Sequence, residues 1–257
     1  MEKVVYISDI HSLAKISPLN FSRLYYGNEF CGNLIPDIED IKKVLNYLKN
    51  KSLEFSFVTP WCRDSDLEKL KKIFAILPKH SEIIFNDWGV SELINRFKNK
   101  KFKKILGRLL VRYSRDPRII LLDKERNKRL INYLMTSNIN NDAFQLFLIE
   151  NGIYRIEIEN SFQGYNFKLD ERLSSSLYYP YVFVTTTTKC LFKQDFNSPH
   201  CKFQCKDKTI IWKIKNLAHK IIIQGNTEFY FGDRKVKSKS MKQWKVNRLV
   251  FMPKMTW

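Results

Sequence analysis

The feature that most restricts the fold is an alternation between residues 24 and 160, where short apolar runs of strand type are followed repeatedly by segments with a helical period. Such alternation predicts βα units and a mainly parallel sheet. LYYGNEFC (24–31) reads as a strand and the loop after it. Pro36 then stands where a first helical turn tolerates a missing amide, and Ile38, Ile41, Val44, Leu45 and Leu48 form a stripe on one helix face. EFSFV (54–58) is the next strand. Ser65 and Glu68 follow with capping-box spacing, ahead of a second one-sided stripe of Leu67, Leu70, Ile73, Phe74 and Leu77. EIIF (82–85) runs into NDWG, and KILGRLLVRY (104–113) reads as a further strand. Helical stretches follow around Leu130 to Leu134 and Ala143 to Leu148, and YRIEIEN (154–160) alternates as a strand does.

Beyond residue 175 the character changes. YYPYVFVTTTT (178–188), TIIWKI (209–214), KIIIQ (220–224) and TEFYF (227–231) are rich in β-branched and aromatic residues and are separated by Gly or polar turns. The expected organisation is one domain over 1–257, with a βα-repeat, barrel-like portion over 1–175 and a β-rich portion over 176–257. At 257 residues and 44% hydrophobic, the chain can bury a sizeable core and does not resemble a disordered one. No apolar run reaches the roughly eighteen residues a bilayer span needs, and MEKVVYISDIHS lacks the pattern of a secretory leader. The expected setting is therefore the cytoplasm.

Net charge is +19 and unevenly spread: residues 202–257 hold 14 Lys and Arg against 3 Asp and Glu. Such a field suits RNA, another polyanion, an acidic partner or an anionic surface, and it equally suits a lysine-rich solvated face. Trp212, Phe229, Tyr230, Phe231 and Trp244 lie within the same stretch and would serve an RNA-binding reading.

Five cysteines are present, and three of them, Cys190, Cys201 and Cys205, fall within KCLFKQDFNSPHCKFQC (189–205). In a reducing compartment such a group points to metal or cluster ligation rather than disulfides. A four-thiolate site needs one more ligand. Cys31 ends the strand at 24–31 and Cys62 follows the strand at 54–58, and both therefore lie where parallel α/β folds gather ligands. Spacing alone does not choose between them, nor between an iron–sulfur cluster and zinc, for which His200 is an additional donor.

Other candidates are weaker. Asp87 ends a strand and suits either an acid–base or binding role at a barrel mouth or the N-cap of the helix after it. Arg108 and Arg112 are expected to share one strand face, where they would clamp a carboxylate or phosphate; a solvated basic edge is the alternative. No H-E-x-x-H or G-x-S-x-G occurs, and His11, His80, His200 and His219 form no recognisable constellation, so peptide hydrolysis has no visible machinery.

The order of four blocks resembles the collagenase-like peptidase family that also contains the UbiU and UbiV proteins of oxygen-independent ubiquinone hydroxylation. LYYGNEFC is similar to the family's first strand and the loop next to it, IIFNDWGVSELI to its D-x-G block, and NDAFQLFLIENGIYRIEIEN to its helix–Gly–strand unit. KCLFKQDFNSPHCKFQC is similar to its cysteine signature. The likeness covers about residues 24–205. The general family pattern has a further cysteine where this chain has Phe183; the UbiV branch lacks it too and draws its fourth ligand from an N-terminal loop, which is where Cys31 falls. The resemblance implies a TIM-type barrel, often incomplete, and a [4Fe-4S] cluster on Cys31, Cys190, Cys201 and Cys205, with Cys62 spare. It further implies an oxygen-independent hydroxylation or related modification of a quinone precursor or RNA base, and a related partner subunit in a heterodimer. The competing expectation is an RNA-binding or scaffold protein with a structural zinc; a peptidase is the third.

Overall fold

The computed structural model describes residues 1–15, 20–49, 51, 53–194, 201–217, 219–232 and 235–253. Seven parallel strands follow the chain: β1 (Glu2–Ile7), β2 (Arg23–Gly27), β3 (Glu54–Val58), β4 (Glu82–Phe85), β5 (Lys103–Leu106), β6 (Ile153–Glu159) and β7 (Ser174–Tyr179). An antiparallel sheet is inserted next, built from β8 (Tyr181–Thr186), β9 (Ile210–Trp212), β10 (Ile221–Gln224) and β11 (Thr227–Phe231) in the order β8-β11-β10-β9. The chain then returns to the barrel as β12 (Val246–Phe251), which pairs in parallel with both β7 and β1 and closes a ring of eight. The result is a TIM-type barrel with a β-rich insertion between its last two strands.

Two helices lie where the stripes predict them. α1 (Ile38–Lys49) buries Ile41, Val44 and Leu48, and α2 (Asp64–Ile76) buries Leu70, Ile73 and Phe74. α3 (Trp88–Arg96), α4 (Lys128–Leu134), α5 (Asp142–Glu150) and the short α6 (Ser238–Gln243) complete the set among the described residues. The helices pack on the outward-facing strand residues, such as Phe57, Ile83, Ile156 and Ile158. Alternate residues, among them Val4, Tyr6, Tyr25, Val58, Ile84, Ile105, Tyr178 and Val250, fill the barrel itself. No described helix is long and apolar enough to cross a membrane.

Several expectations need correction. The ring is complete rather than incomplete, because strands from both chain ends, neither assigned to the barrel from the sequence, form adjacent staves. The barrel is likewise not confined to residues 1–175, since most of β7 and all of β12 lie beyond. LYYGNEFC holds the second strand, not the first. KILGRLLVRY is strand only to Leu106: the Asn86 side chain accepts from the Leu109 amide at 3.0 Å and a Cβ on Gly107 would meet Asn86 Oδ1 at 2.2 Å, so the chain turns there. The α2 cap is Arg63, whose amide donates to the Asp66 carboxylate at 3.0 Å, and not the Ser65/Glu68 pair.

The amino-terminal end of the barrel is sealed by a network of charges. Arg248 meets Glu82 at 2.8 Å, Glu2 at 2.6 Å and the Tyr25 hydroxyl at 2.7 Å; Arg23 meets Glu82 at 3.1 Å and Glu2 at 2.6 Å. Each buried guanidinium thereby has more than one oxygen partner, which offsets the cost of removing it from water. In barrels of this type that face carries stability, and chemistry belongs at the other one.

A four-cysteine cavity at the carboxyl end of the barrel

β2 ends at Gly27, whose φ of +138° and whose approach to the Val58 carbonyl, 2.0 Å from where a Cβ would stand, admit only glycine. The chain then folds into a loop held by its own side chains: Asn28 Oδ1 accepts from the amides of Phe30 and Cys31, both at 2.9 Å. Glu29, fully buried, pairs with fully buried Arg108, the Nε–Oε1 contact being 3.3 Å. Cys31 caps a short 3-10 turn, Gly32–Leu34. Gly32 is required there because a Cβ would meet the Asp66 carboxylate at 2.3 Å.

Phe30 joins this loop to the inserted sheet. Its ring lies 5.3 Å from both Phe183 of β8 and Phe229 of β11, and its carbonyl accepts from Asn226 Nδ2 at 2.8 Å. Asn226 Nδ2 also donates to the Thr187 carbonyl at 2.6 Å, tying the loop to the segment that leads into Cys190. Phe183, at the position where the family pattern has a further cysteine, thus contributes packing.

The consequence is convergence. Cys31, Cys190, Cys201 and Cys205 line one cavity of about 110 Å³, together with Arg63, Lys189 and Phe203 among others. The wall holds no carboxylate and no imidazole among the described residues. Burial raises the Cys31 thiol to about 11, with Cys201 and Cys190 adding to the effect. Burial raises Cys205 to about 12, and its neighbours Cys190, Cys31 and Cys201 push in the same direction. The amide of Phe203 points at Cys201 Sγ across 3.4 Å. Among the described residues no group of three or more His, Cys, Asp or Glu side chains is drawn together tightly enough to hold a metal ion. His200 lies outside the described residues.

Cys62 stands apart. It packs partly buried against the helix-side core, donates to the Pro60 carbonyl at 3.3 Å, and has its thiol raised by burial and by Asp87 and Asp66. It is not in the cavity wall.

The other sequence candidates separate. Asp87 is the N-cap of α3, its Oδ1 accepting from the Gly89 amide at 2.7 Å. Arg108 and Arg112 do not share a strand face, because the strand has already ended. Arg108 turns into the barrel, 3.9 Å from the Tyr178 ring, whereas Arg112 is exposed. The aromatic set of the basic stretch also divides: Phe229, Tyr230 and Trp244 are buried, leaving Trp212 and Phe231 exposed.

Sequence reading missed the buried polar group beneath the loop. Glu157 and Glu159 both point into the barrel; burial raises Glu157 to about 7 and raises Glu159 as well, with Arg115 3.2 Å from Glu159. Glu157 Oε2, Glu159 Oε2, Arg108 Nη1, Asn28 Nδ2 and the Tyr178 hydroxyl are buried without a hydrogen-bond partner. The alternation in YRIEIEN was visible; its sense was not, because in a barrel clothed by helices the apolar face looks outward.

The sequence matches no protein-family model and no curated protein. Solved structures with a similar fold include the putative copper homeostasis protein CutC from Streptococcus agalactiae, at 11% identity and a TM-score of 0.39 over 69% of this chain and 88% of that one. A glycoside hydrolase family 18 N-acetylglucosaminidase from Paenibacillus barengoltzii aligns over 98% of this chain and 94% of its own, at 7% identity and a TM-score of 0.35. A family GH18 chitinase from Cycas revoluta aligns over the same shares at 10% identity and 0.31. Likeness at this level carries nothing about chemistry.

Proposed function

We propose that Cys31, Cys190, Cys201 and Cys205 hold a [4Fe-4S] cluster, and that the protein serves in an oxygen-independent hydroxylation or related modification of a quinone precursor or an RNA base. The observation that carries the reading is that thiols from two distant segments, the loop after β2 and the connection between β8 and β9, line one cavity. The donor set supports it, since four thiolates, with no carboxylate or imidazole beside them among the described residues, are what cubane clusters take. So does the size of the space. A single water needs about 10–15 Å³ in the same measure, and 110 Å³ is far more than one ion fills.

The protein's own residues suit that load. Arg63 and Lys189 in the wall place positive charge beside the thiolates, and the Phe203 amide offers Cys201 a hydrogen bond that favours the ionised sulfur. Thiols held at about 11 and 12 when free surrender their protons on loading, so loading is expected to strengthen with pH. When bound, the cluster supplies a one-electron couple. The likeness of motif order to the UbiU and UbiV branch supports the reaction class. A reducing cytoplasmic setting and a family-related partner subunit belong to the same proposal.

Anaerobic purification with iron, sulfide and zinc analysis and an ultraviolet–visible spectrum tests it. About four irons and four sulfides per chain, with a broad band that fades on reduction and is lost in Cys201→Ser, is the expected outcome. A colourless protein holding about one zinc overturns it in favour of a structural metal.

A further inference from the structure

The surface beside the thiol cavity combines exposed apolar side chains with a dense cationic border. Leu191 follows Cys190 and is 57% exposed; Phe203, in the cavity wall, is 46% exposed. Leu191 and Cys190 line a second cavity of about 340 Å³ that also includes Ile223. Ile223 pairs directly with Ile210 of β9, the edge strand of the inserted sheet. Every side chain of β9 is exposed: Ile210 at 41%, Ile211 at 59% and Trp212 at 53%. In that register Ile210 and Trp212 share the face of Ile223 while Ile211 projects from the other, so apolar side chains lead from the thiol cavity through Leu191 and Ile223 to Ile210 and Trp212 at the free edge of the sheet, where a strand would normally be covered or blunted. Lys202, Lys206, Lys208, Lys213 and Lys215, all exposed, flank these residues along the chain, with Asp207 the one acidic residue of 201–217 and Glu228, opposite Ile223, in the wall of the second cavity.

We propose that this patch is the docking surface for a small acidic electron-carrier protein. An apolar centre inside a charged rim is the anatomy of a protein interface, and the sign of the rim selects an acidic partner. The aliphatic members argue for a protein over single-stranded nucleic acid, whose bases need aromatic platforms. Phe229, Tyr230 and Trp244 are buried, so the patch holds two aromatic members, Phe203 and Trp212, beside the aliphatic Leu191, Ile210 and Ile223. The carrier's redox character rests on the cluster reading above, because the patch begins at the cavity wall; the acidic docking itself does not.

The test uses the full chain purified without oxygen, with an acidic [2Fe-2S] ferredoxin and an acidic flavodoxin as probes, followed by calorimetry at low and physiological salt. Binding is expected to be weak, as electron-transfer encounters are, and to fall several-fold between about 0.05 and 0.2 M salt. Lys206→Glu with Lys213→Glu, and separately Ile210→Ser with Trp212→Ala, are each expected to weaken it by about tenfold or more. Melting curves matching wild type establish that these surface variants fold. Failure of both probes to bind, or variants that bind as wild type does, overturns the proposal. Tight binding of single-stranded RNA that is lost in the same variants overturns it in favour of a nucleic-acid surface. Docking on a protein without iron leaves this surface standing and sinks the cluster reading; an iron-loaded protein that binds neither carrier does the reverse.

Discussion

Phe30 is the residue whose loss should separate the two halves of the thiol site. It is 4% exposed, clasped between Phe183 and Phe229 with both ring distances at 5.3 Å, and it also lies 5.5 Å from the Arg108 guanidinium. Burying a phenylalanine is worth about 1.5–3 kcal/mol, and each aromatic pair adds about 0.5–1.5 kcal/mol. Phe30→Ala should therefore cost about 3–5 kcal/mol, the range of phenylalanine truncations in well-packed sites. The loss falls on the docking of the inserted sheet against the loop after β2, so the ring of barrel strands should survive while that contact opens. Native-state hydrogen exchange on the metal-free protein reads this directly. Amides of β8 and β11 should exchange more than a hundredfold faster, since 1.4 kcal/mol is tenfold, while β3 and β4 keep their protection. Iron content after reconstitution should fall in parallel, and Phe30→Leu should recover most of both. Unchanged protection of β8 and β11 in Phe30→Ala would refute the idea that this side chain brings Cys31 to the other three thiols.

Further outcomes concern the buried charges and the spare cysteine. Glu29→Gln and Arg108→Met should each destabilise by about 3–5 kcal/mol in urea melts, because each strands a fully buried partner, and the double variant should cost clearly less than the sum. Glu157 has its folded-state carboxyl raised by burial from 4.5 to about 7, so between those values the folded protein holds a proton the unfolded chain releases. Its contribution thus declines as pH rises through that window, and Glu157→Gln should gain on wild type by roughly 2–3 kcal/mol from pH 4.5 to pH 8. Equal pH profiles for the two would contradict the burial of this carboxyl. Cys62→Ala should leave iron content untouched, whereas Cys31→Ala should abolish it in the same metal analysis.

What the chain discloses locally and what it withholds can be traced to particular residues. The stripe of α1, the strands EFSFV and EIIF, and the alternation of YRIEIEN are set by neighbours a few residues apart, and each is found where periodicity puts it. The spacing of Cys190, Cys201 and Cys205 is equally plain in the sequence, and it singles out that segment as a candidate site. The strand pattern around Arg108 misleads because it cannot report that Asn86, just past the preceding strand, turns the chain after Leu106. The choice of Cys31 over Cys62 likewise lay beyond spacing: both follow strands of the same sheet, and only the wedging of Phe30 between Phe183 and Phe229 decides which loop meets the insertion. Ring closure is of the same kind, for β1 and β12 pair across almost the whole length of the chain. Local periodicity is written in short-range sterics and hydrophobicity, whereas closure, facing and convergence depend on contacts between segments that carry no record of one another until the core forms.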